Sequence, residues 1–449
     1  MHFYRYFILV FLLLIAVVTA HANILDIEDG EATLTGIYIK DLVTDSVLVD
    51  HNSAFALTPA SITKCVTTAT AMSILGPDFH FTTTVELTGE RLNRRRWNGN
   101  LVIRASGDPT LESDEFMAYK GFTDSIARAL QRLGVDEIAG NIIVADEFKD
   151  SGPVPNWECE DIAWPYGAGI YGFNYSGNCV KAYPNRGTTE PATDMKIDCR
   201  VSDNGTDVLR GINSSDLTVW TSEENRRKRA WSINVTVPDP SAMYVKLLTA
   251  KLRAAGIKVD CRNVSADSAS TVIYRHRSPS AREICLSLMK RSDNLFAEGM
   301  FRALVPGGSR SDCMKTEHRF LDTIGLNPKQ TTLLDGSGLT RANRFSPAFI
   351  GGLLEYMAEN PFADDYISFF PLSGKEGTLK RFLAKTPLEG LMALKTGSVR
   401  SVQTYAGYKL DADGKPTHVV VVMVNGFFCK RAVLRKQVEK FLLQTFEIQ

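Results

Sequence analysis

Stretches of alternating apolar and polar residues lie near both ends of the 449-residue chain, and helical patterns of apolar residues lie between them. The alternation in Thr33–Val49, around Thr44-Asp45, predicts a β-hairpin. The segment Gly152–Arg229 is rich in turn-forming residues and has no long helical period, which is typical of an insert of short strands. Strands are also predicted in Phe79–Ala105, Ala139–Ala145, Leu391–Leu394, Gln403–Leu410 and Thr417–Asn425, and helices in Ser113–Leu133, Tyr244–Ala255, Ala281–Leu304, Lys315–Ile324, Pro347–Ala358 and Val433–Phe446.

One further helix is predicted to begin at Pro59, a proline at the first helical position, with Thr58 as its N-cap. Its apolar run Val66–Leu75 ends at the stop signal Gly76-Pro77. Ser61 then lies in the first turn, near free backbone N–H groups and the positive end of the helix dipole. Lys64 is three residues further on and shares the same face. This Ser-x-x-Lys pair therefore has the arrangement of a nucleophile and its base.

Two more motifs carry residue types that suit an acyl-serine site, namely Ser292-Asp293-Asn294 and Lys395-Thr396-Gly397. Together with Ser-x-x-Lys they form the trio that is typical of class A β-lactamases and penicillin-binding proteins. Lys-Thr-Gly occurs once and ends an apolar run that predicts a strand, where glycine lets the backbone of a ligand come close. The trio therefore predicts a serine nucleophile with a lysine base.

Ser-x-x-Lys and Ser-Asp-Asn each occur a second time, at Ser287–Lys290 and at Ser202–Asn204. The first of these copies lies in the middle of a predicted helix and is interpreted as a surface pair. The second lies in a polar turn cluster. Ser292–Asn294 instead interrupts an apolar helical pattern, where polar groups need a buried purpose, and is the copy that we favour.

The chain resembles the D-alanyl-D-alanine carboxypeptidase/endopeptidase family, the class C low-molecular-mass penicillin-binding proteins. The resemblance implies an α+β fold, in which a penicillin-recognising transpeptidase-like catalytic domain has a central antiparallel sheet with helices on both faces and inserted β-rich accessory domains. Ser292 follows Ser61 by 231 positions, and the inserted domains are expected within this interval. The matching segments are Pro59–Lys64, Gly107–Leu111, Ser292–Leu295, Asp335–Leu339, Gly374–Leu379 and Lys395–Ser398.

These considerations predict a discontinuous domain organisation. The catalytic domain is expected in residues 23–75 and 275–449, a second domain in residues 76–150 and 235–274, and a third, nested in the second, in residues 151–234. Residues 1–22 are predicted to be a signal peptide, because Arg5 precedes the apolar stretch Phe7–Val18 and Ala20-His21-Ala22 offers a cleavage site. An uncleaved membrane anchor is the alternative.

Each motif residue has an expected role. Ser61 attacks a peptide carbonyl after losing its proton to Lys64, whose pKa must be lowered by burial and by a neighbouring cation such as Lys395. Ser292 relays a proton to the leaving amine, and Asn294 positions Lys64 and the substrate amide. The resemblance further implies that Lys395 and Thr396 bind the substrate carboxylate. It also implies an oxyanion hole formed by the backbone N–H groups of Ser61 and of Ser398, the residue after Gly397.

Three outlying residues are also expected to contact substrate. Arg341 matches a family position near the substrate side-chain pocket, and Arg400 lies just past the oxyanion strand; for each arginine, a plain surface position is the alternative. Asp146 lies close to a family position for a substrate-contacting aspartate, with a spacing from Gly140 that is off by about a residue.

Composition narrows the partners. The 51 basic and 51 acidic residues give no electrostatic case for nucleic acid. No Cys/His spacing resembles a zinc site, so no metal or cofactor is predicted. Cys65 and Cys285 are predicted to be buried thiols, whereas a compartment that permits disulfides leaves bridges open for the four mid-chain cysteines, Cys159, Cys179, Cys199 and Cys261.

The sequence therefore predicts an exported, periplasmic serine-type D-Ala-D-Ala carboxypeptidase that trims peptidoglycan stem peptides and is inhibited by β-lactam antibiotics. Endopeptidase activity on cross-links, the third stem residue, the disulfide pairing and the oligomeric state are left open. One alternative is a serine β-lactamase, although the Glu-x-x-Leu-Asn signature of class A enzymes is absent. Another is a catalytically silent peptidoglycan-binding protein, which is expected to have lost one of the three motifs.

Overall fold

The structure is a computed structural model that describes residue 25, residues 33–262 and residues 269–446. The predicted signal peptide, residues 1–22, lies outside these residues. The described strands are β1 (Leu34–Asp41), β2 (Val47–His51), β3 (Thr82–Thr88), β4 (Glu90–Arg91), β5 (Arg96–Asn98), β6 (Leu101–Arg104), β7 (Glu137–Ala139), β8 (Ile142–Ala145), β9 (Cys179–Tyr183), β10 (Thr188–Glu190), β11 (Lys196–Val201), β12 (Asp207–Arg210), β13 (Asp216–Thr221), β14 (Ile233–Thr236), β15 (Lys258–Val259), β16 (Ser270–Arg277), β17 (Met392–Val399), β18 (Val402–Leu410) and β19 (Pro416–Asn425).

The chain divides into two compact units. The terminal unit comprises the residues up to 62 and those from 344 onward, and the central unit comprises residues 63–343. The described helices are α1 (Thr63–Leu75), α2 (Phe122–Arg132), α3 (Glu223–Arg227), α4 (Pro240–Ala254), α5 (Ala281–Arg291), α6 (Asn294–Ala303), α7 (Arg310–Thr323), α8 (Pro347–Ala358), α9 (Ala363–Ser368) and α10 (Arg431–Thr445).

The terminal unit is built on a five-stranded sheet of order β17-β18-β19-β1-β2, in which every neighbouring pair is antiparallel. Strand β1 pairs with β19 from Leu34, opposite Asn425, to Asp41, opposite His418. Strands from the two ends of the chain therefore meet in the middle of one sheet, as the sequence predicts, and the predicted hairpin forms between β1 and β2.

Helices cover both faces of this sheet. Val420 and Val422 point to one face, where they share a core with Leu434 of α10. Tyr38 points to the other face because side chains alternate along a strand. There α8 lies so close that a Cβ on Gly351 would come within 2.3 Å of Tyr38 Cδ1. Glycine at this position is what allows the helix to approach the sheet.

The central unit combines the helices α1, α5, α6 and α7 with four smaller sheets of order β16-β3-β6-β8, β15-β7-β5-β4, β10-β9-β14 and β11-β13-β12. One apolar core joins the two four-stranded sheets to α2 and α4 and contains Val85, Ile138 and Tyr244. A separate core, around Val180 and Val219, fills the two three-stranded sheets. The turn-rich segment thus has an apolar core of its own.

Two predicted helices differ most from the observed ones. The helix expected from Ser113 begins only at Phe122, because the Glu112 carboxylate accepts hydrogen bonds from the backbone N–H groups of Gly121 and Phe122 and ends the preceding loop there. The helix expected over Ala281–Leu304 is broken into α5 and α6 at Ser292, which has a φ of 61°. The break falls on the Ser-Asp-Asn motif.

Candidate active site

Lys64 lies in the first turn of α1 and is fully buried in the central unit. Its Nζ donates hydrogen bonds to Oδ1 of Asn294 at 2.6 Å and to the backbone carbonyl of Ser337 at 2.5 Å. Burial lowers the pKa of this lysine to about 8, although the nearby carboxylates of Asp335 and Asp293 act in the opposite direction. A lysine of this kind holds its proton weakly enough to serve as a base near neutral pH.

Asn294 is the first residue of α6, and its side-chain amide is fixed at both ends. Oδ1 accepts from Lys64, and Nδ2 donates to the backbone carbonyl of Tyr166 at 2.7 Å. The preceding residue, Asp293, caps the helix by accepting from the N–H of Phe296 at 2.9 Å. The Ser-Asp-Asn motif is therefore a helix start that aims its asparagine at the lysine.

Ser292, between α5 and α6, has a left-handed backbone conformation. It lines an open cleft with a volume of about 310 Å³. Asn294, Tyr166 and Cys179 line the same cleft. The structure thus bonds Lys64 to Asn294 and places Ser292 and Asn294 in one open cleft; all three residues were predicted to be catalytic.

The carbonyl that binds Lys64 belongs to the loop Asp335–Leu339, which is tied down by one buried carboxylate. Asp335 accepts hydrogen bonds from the N–H groups of Gly338 and Thr340 at 2.8 and 2.9 Å. It also accepts from Asn343 Nδ2 at 2.7 Å and from Trp157 Nε1 at 2.9 Å. The loop is therefore held rigidly where it receives the lysine.

Arg341 and Asp146, which were expected to contact substrate, are engaged by protein groups. Arg341 Nε lies 3.6 Å from Oε1 of Glu158, and both side chains are partly exposed. The Asp146 carboxylate accepts from the N–H of Phe148 at 2.9 Å and from the N–H of Gly172 at 3.0 Å. Asp146 therefore organises its own loop.

In the terminal unit, Ser61 lies in a 3₁₀ turn, Ala60–Ile62, that runs directly into α1. The α-helix proper begins at Thr63, four residues later than predicted, and Ala60 has a φ of 48°. A non-glycine residue in this region costs on the order of 1–3 kcal/mol and persists only where its surroundings impose it. The backbone beside the expected nucleophile is therefore strained.

Two side chains from the sheet impose this conformation. Thr404 Oγ1 donates to the carbonyl of Pro59 at 2.7 Å. Asn425 Oδ1 accepts from the N–H of Thr58 at 2.9 Å, and its Nδ2 donates to the carbonyl of the same residue at 3.2 Å. The segment that leads into Ser61 is thus bonded to β18 and β19 of its own unit.

Strand β17 carries Lys-Thr-Gly past this turn. A Cβ on Gly397 would lie 2.8 Å from the backbone N of Ser61, 2.7 Å from the carbonyl oxygen of Pro59 and 2.3 Å from Thr404 Oγ1. Only glycine fits, so strand β17 lies directly against the backbone of Pro59 and Ser61. Lys395 is buried and, because side chains alternate, lies on the same side of the strand as Gly397.

The other predicted residues of this strand lie toward its exposed end. Thr396 Oγ1 donates to Thr378 Oγ1 at 2.8 Å, and Lys395 Nζ donates to the carbonyl of Thr396 at 2.7 Å. Ser398 is exposed, pairs with Gln403 and follows the glycine directly. Arg400 is exposed in the turn between β17 and β18.

Metals, disulfides and membrane spans are absent from the part of the chain that the structure describes. In residues 25, 33–262 and 269–446, no group of His, Cys, Asp and Glu side chains is placed to hold a metal ion, and no helix is long and apolar enough to cross a membrane. Cys65 and Cys285 are buried thiols, as predicted. The four mid-chain cysteines form no bridge in the structure.

The chain matches one protein family along almost its entire length. A model of the D-Ala-D-Ala carboxypeptidase 3 (S13) family matches residues 19–443. The chain therefore belongs to this family of serine-type carboxypeptidases, and the resemblance seen in its motifs is confirmed. It is 23% identical to D-alanyl-D-alanine carboxypeptidase DacB of Haemophilus influenzae, over 91% of this chain and 89% of that one.

Solved structures share the fold. The crystal structure of penicillin binding protein 4 from Haemophilus influenzae covers 93% of this chain and 97% of its own, with a TM-score of 0.78 and 23% identity. The same protein complexed with a novel β-lactam covers 96% and 99%, with a TM-score of 0.73 and 22% identity. The predicted α+β penicillin-recognising fold is confirmed.

Sequence reasoning gave no role to several residues that surround Lys64. Asp335, Ser337 and Glu298 are buried, and Trp157 reaches Asp335 from a segment 178 residues away. Glu298 carries a local signal, because it follows Asn294 by four residues and so shares its helix face. Asp335 and Ser337 lie in the segment Asp335–Leu339, which matches the family but suggested no role.

Proposed function

We propose that the chain releases the terminal D-alanine of peptidoglycan stem peptides through an ester on Ser61. The observation that carries the proposal is Lys64, a fully buried lysine with a pKa lowered to about 8, three residues after a serine in a strained turn. Roughly a tenth of such a lysine is neutral at pH 7, which is far more than for an exposed one. A neutral amine is what removal of the serine proton needs.

Acylation begins when Ser61 Oγ attacks the carbonyl carbon between the two D-alanines and its proton passes to Lys64. The negative charge that develops on the carbonyl oxygen is stabilised by the N–H groups of Ser61 and Ser398. Collapse breaks the C–N bond, Ser292 gives its proton to the departing amine and takes one from Lys64, which becomes neutral again, and D-alanine leaves. Water then attacks the ester, gives up a proton through Lys64, and restores Ser61 with a shortened stem peptide.

Recognition of the substrate carboxylate is assigned to Lys395 and Thr396, since a cation and a hydroxyl at the end of one strand suit a terminal carboxylate. Arg400 is exposed in the adjoining turn and remains a candidate for the same task. Arg341 and Asp146 are weaker candidates because each already holds a protein partner.

We further propose that the protein is exported to the periplasm and that its signal peptide is cleaved after residue 22. We also propose that the two cores of the central unit correspond to two inserted domains, one formed by residues 76–150 with 235–274 and the other by residues 151–234. Support comes from the separate apolar cores around Val85 and Val180. Mass spectrometry of exported protein tests the cleavage, since the mature chain is then expected to begin near Asn23.

The central test is exposure of the purified protein to labelled penicillin, followed by intact-mass and peptide analysis. A stable adduct is expected on the peptide that contains Ser61, together with D-alanine release from a stem pentapeptide. Ser61→Ala should abolish both and leave thermal unfolding nearly unchanged. Ser287→Ala, which alters the second Ser-x-x-Lys copy, is the matched control and should retain both activities.

The alternatives give different results. A β-lactamase would hydrolyse the drug without accumulating adduct, and a silent wall-binding protein would form no ester and release no D-alanine. Retained D-alanine release in Ser61→Ala would rule out the assignment of the nucleophile. Incubation with a cross-linked stem-peptide dimer decides the endopeptidase question, because cleavage then yields monomers.

A further inference from the structure

The backbone of Ser337 has a buried partner on each side: Lys64 at its carbonyl and Glu298 at its N–H. The carbonyl of Ser337 accepts from Lys64 Nζ at 2.5 Å, and the N–H of Ser337 donates to Oε1 of Glu298 at 2.9 Å. Glu298 and Lys64 are both fully buried. One residue therefore connects a buried acid to the proposed catalytic base.

We propose that Glu298 is a positioning residue for acylation, which fixes Ser337 under Lys64 and restrains, through its negative charge, the loss of the lysine proton. The inference rests on the proposed function, because it assigns Glu298 a part in the same acyl-transfer reaction.

The geometry of α6 supports the first half of this proposal. Asn294 and Glu298 are four residues apart, so they project from the same face of one helix. Asn294 bonds Lys64 directly, and Glu298 bonds the residue that supplies a second acceptor. A shift of α6 would therefore move both acceptors of the lysine together.

The helix α6 and the loop are held in place by independent contacts. Thr67, which follows Lys64 by three residues on α1, donates through Oγ1 to the carbonyl of Gly336 at 2.7 Å. A Cβ on Gly299 would lie 2.5 Å from Pro109 Cγ, so α6 is packed tightly against the Gly-Asp-Pro-Thr-Leu segment next to Glu298. Rigid neighbours make the Glu298–Ser337 hydrogen bond a determinant of where the loop lies.

The charges around the two groups support the second half. Lys64 faces the carboxylates of Asp335, Asp293 and Glu298 and the thiol of Cys65. Glu298 faces Asp335, while Arg310 Nη1 lies 3.7 Å from its Oε2. The nearby acid Glu317 interacts with Glu298 and Asp335, and Arg310 also faces Arg302 and Asp150.

Burial raises the pKa of Glu298 to about 7, close to the value of about 8 for Lys64. The two groups therefore titrate in the same range and share their macroscopic pKa values. Above pH 7 an ionised Glu298 favours the protonated lysine and holds back formation of the neutral base. Removal of that charge should shift the acid limb of the acylation profile to lower pH.

Two variants separate position from charge. Glu298→Gln keeps an acceptor for the Ser337 N–H and removes the charge, whereas Glu298→Asp keeps the charge and withdraws the acceptor. Glu115→Gln is the matched control, since Glu115 accepts from Ser287 of the second Ser-x-x-Lys copy and loses the same charge. The acylation rate of the full chain by a fluorescent penicillin is measured from pH 5.5 to 9.5, alongside thermal unfolding.

For Glu298→Gln, the midpoint of the rise in acylation rate is expected to fall by about half a pH unit. The largest relative gain in rate is expected between pH 7 and 8, where wild-type Glu298 is ionised and Lys64 is still mostly protonated. The rate at pH 5.5 should stay close to wild type because Glu298 is already protonated there. Glu298→Asp should keep the wild-type profile and lose about tenfold in rate at every pH. Glu115→Gln should follow wild type. A Glu298→Gln profile that coincides with wild type, or wild-type rates in Glu298→Asp, would overturn the inference, whereas a wild-type protein that penicillin does not acylate would instead refute the proposed function.

Discussion

The two Ser-x-x-Lys sequences, Ser61–Lys64 and Ser287–Lys290, have the same spacing but opposite surroundings. Lys64 is fully buried and bonded to Asn294 and to the Ser337 carbonyl, at the start of a helix that a strained turn precedes. Lys290 is partly exposed near the end of the regular helix α5, and the hydroxyl of Ser287 donates to Glu115 at 3.0 Å.

The two Ser-Asp-Asn sequences differ in the same way. In Ser292–Asn294, the asparagine amide is bonded at both ends and the serine lines a cleft. In Ser202–Asn204, the asparagine is exposed in the loop between β11 and β12, and the serine hydroxyl accepts from its N–H at 3.2 Å. A motif becomes a site when burial changes the acidity of its groups and fixed partners orient them; spacing alone does neither.

The largest effect is expected from the two lysines. Lys64→Met leaves an unbranched side chain one atom shorter and removes the amine that is proposed to be the base, so the acylation rate by penicillin should fall on the order of 10³-fold. Lys290→Met removes a lysine from the second copy and should leave the rate unchanged. The comparison fails if the two variants lose activity to a similar extent in stopped-flow measurements.

A smaller effect is expected from the two asparagines. Asn294→Ala removes the acceptor for Lys64 and the bond to Tyr166, so the acylation rate should fall on the order of 10- to 100-fold, with about 1 kcal/mol lost from the free energy of unfolding. Asn204→Ala should change neither quantity, as is usual for an exposed turn. Equal rates in these two variants would show that Asn294 does not position the base.

The last prediction expects no change in the acylation rate and concerns the free energy of unfolding. It tests the buried acids that lie near Lys64 and that set its surroundings apart from those of the second Ser-x-x-Lys copy. Burial raises the pKa of Glu317 from 4.5 to about 8, and Thr70 Oγ1 donates to it at 3.3 Å. Between these values the folded protein keeps a proton that the unfolded chain has released, so the free energy of unfolding falls as pH rises from 4.5 to 8.

Glu317→Gln removes this dependence because the amide stays neutral. The variant should match wild type near pH 5 and gain on the order of a few kcal/mol at pH 8. Thermal unfolding across this range measures the difference, and melting curves that stay parallel at all pH values would contradict the assignment.

Much of the fold follows from periodic patterns. The strands at the two chain ends and the helix that stops at Gly76 were predictable, since each depends on neighbouring residues. The break at Ser292 was not, because the apolar helical pattern continues on both sides of it. The choice between motif copies stays a prediction, based on the argument that a polar interruption of an apolar helical pattern requires a buried purpose.

The support around the motifs was not predictable. Trp157 bonds Asp335, 178 residues away, and the Tyr166 carbonyl bonds Asn294, 128 residues away. Periodic patterns of apolar residues predict local structure and cannot predict such distant pairs. The left-handed Ala60 is imposed by hydrogen bonds from strands near the other end of the chain to the residues just before it. Arg341 could not be placed from sequence, since its nearest acid was unknown.

The meeting of β1 and β19 sets an order of events during biosynthesis. The segment before Ser61 depends on Thr404 and Asn425, which a ribosome adds more than 340 residues later. Until those strands exist, their hydrogen bonds to Thr58 and Pro59 are missing, and the sheet has only one hairpin. Contacts so distant in sequence form slowly. Ser61, the proposed nucleophile, is therefore synthesised early but acquires the turn geometry seen in the structure only after β18 and β19 have formed, so we expect an unfinished chain to lack acylation activity.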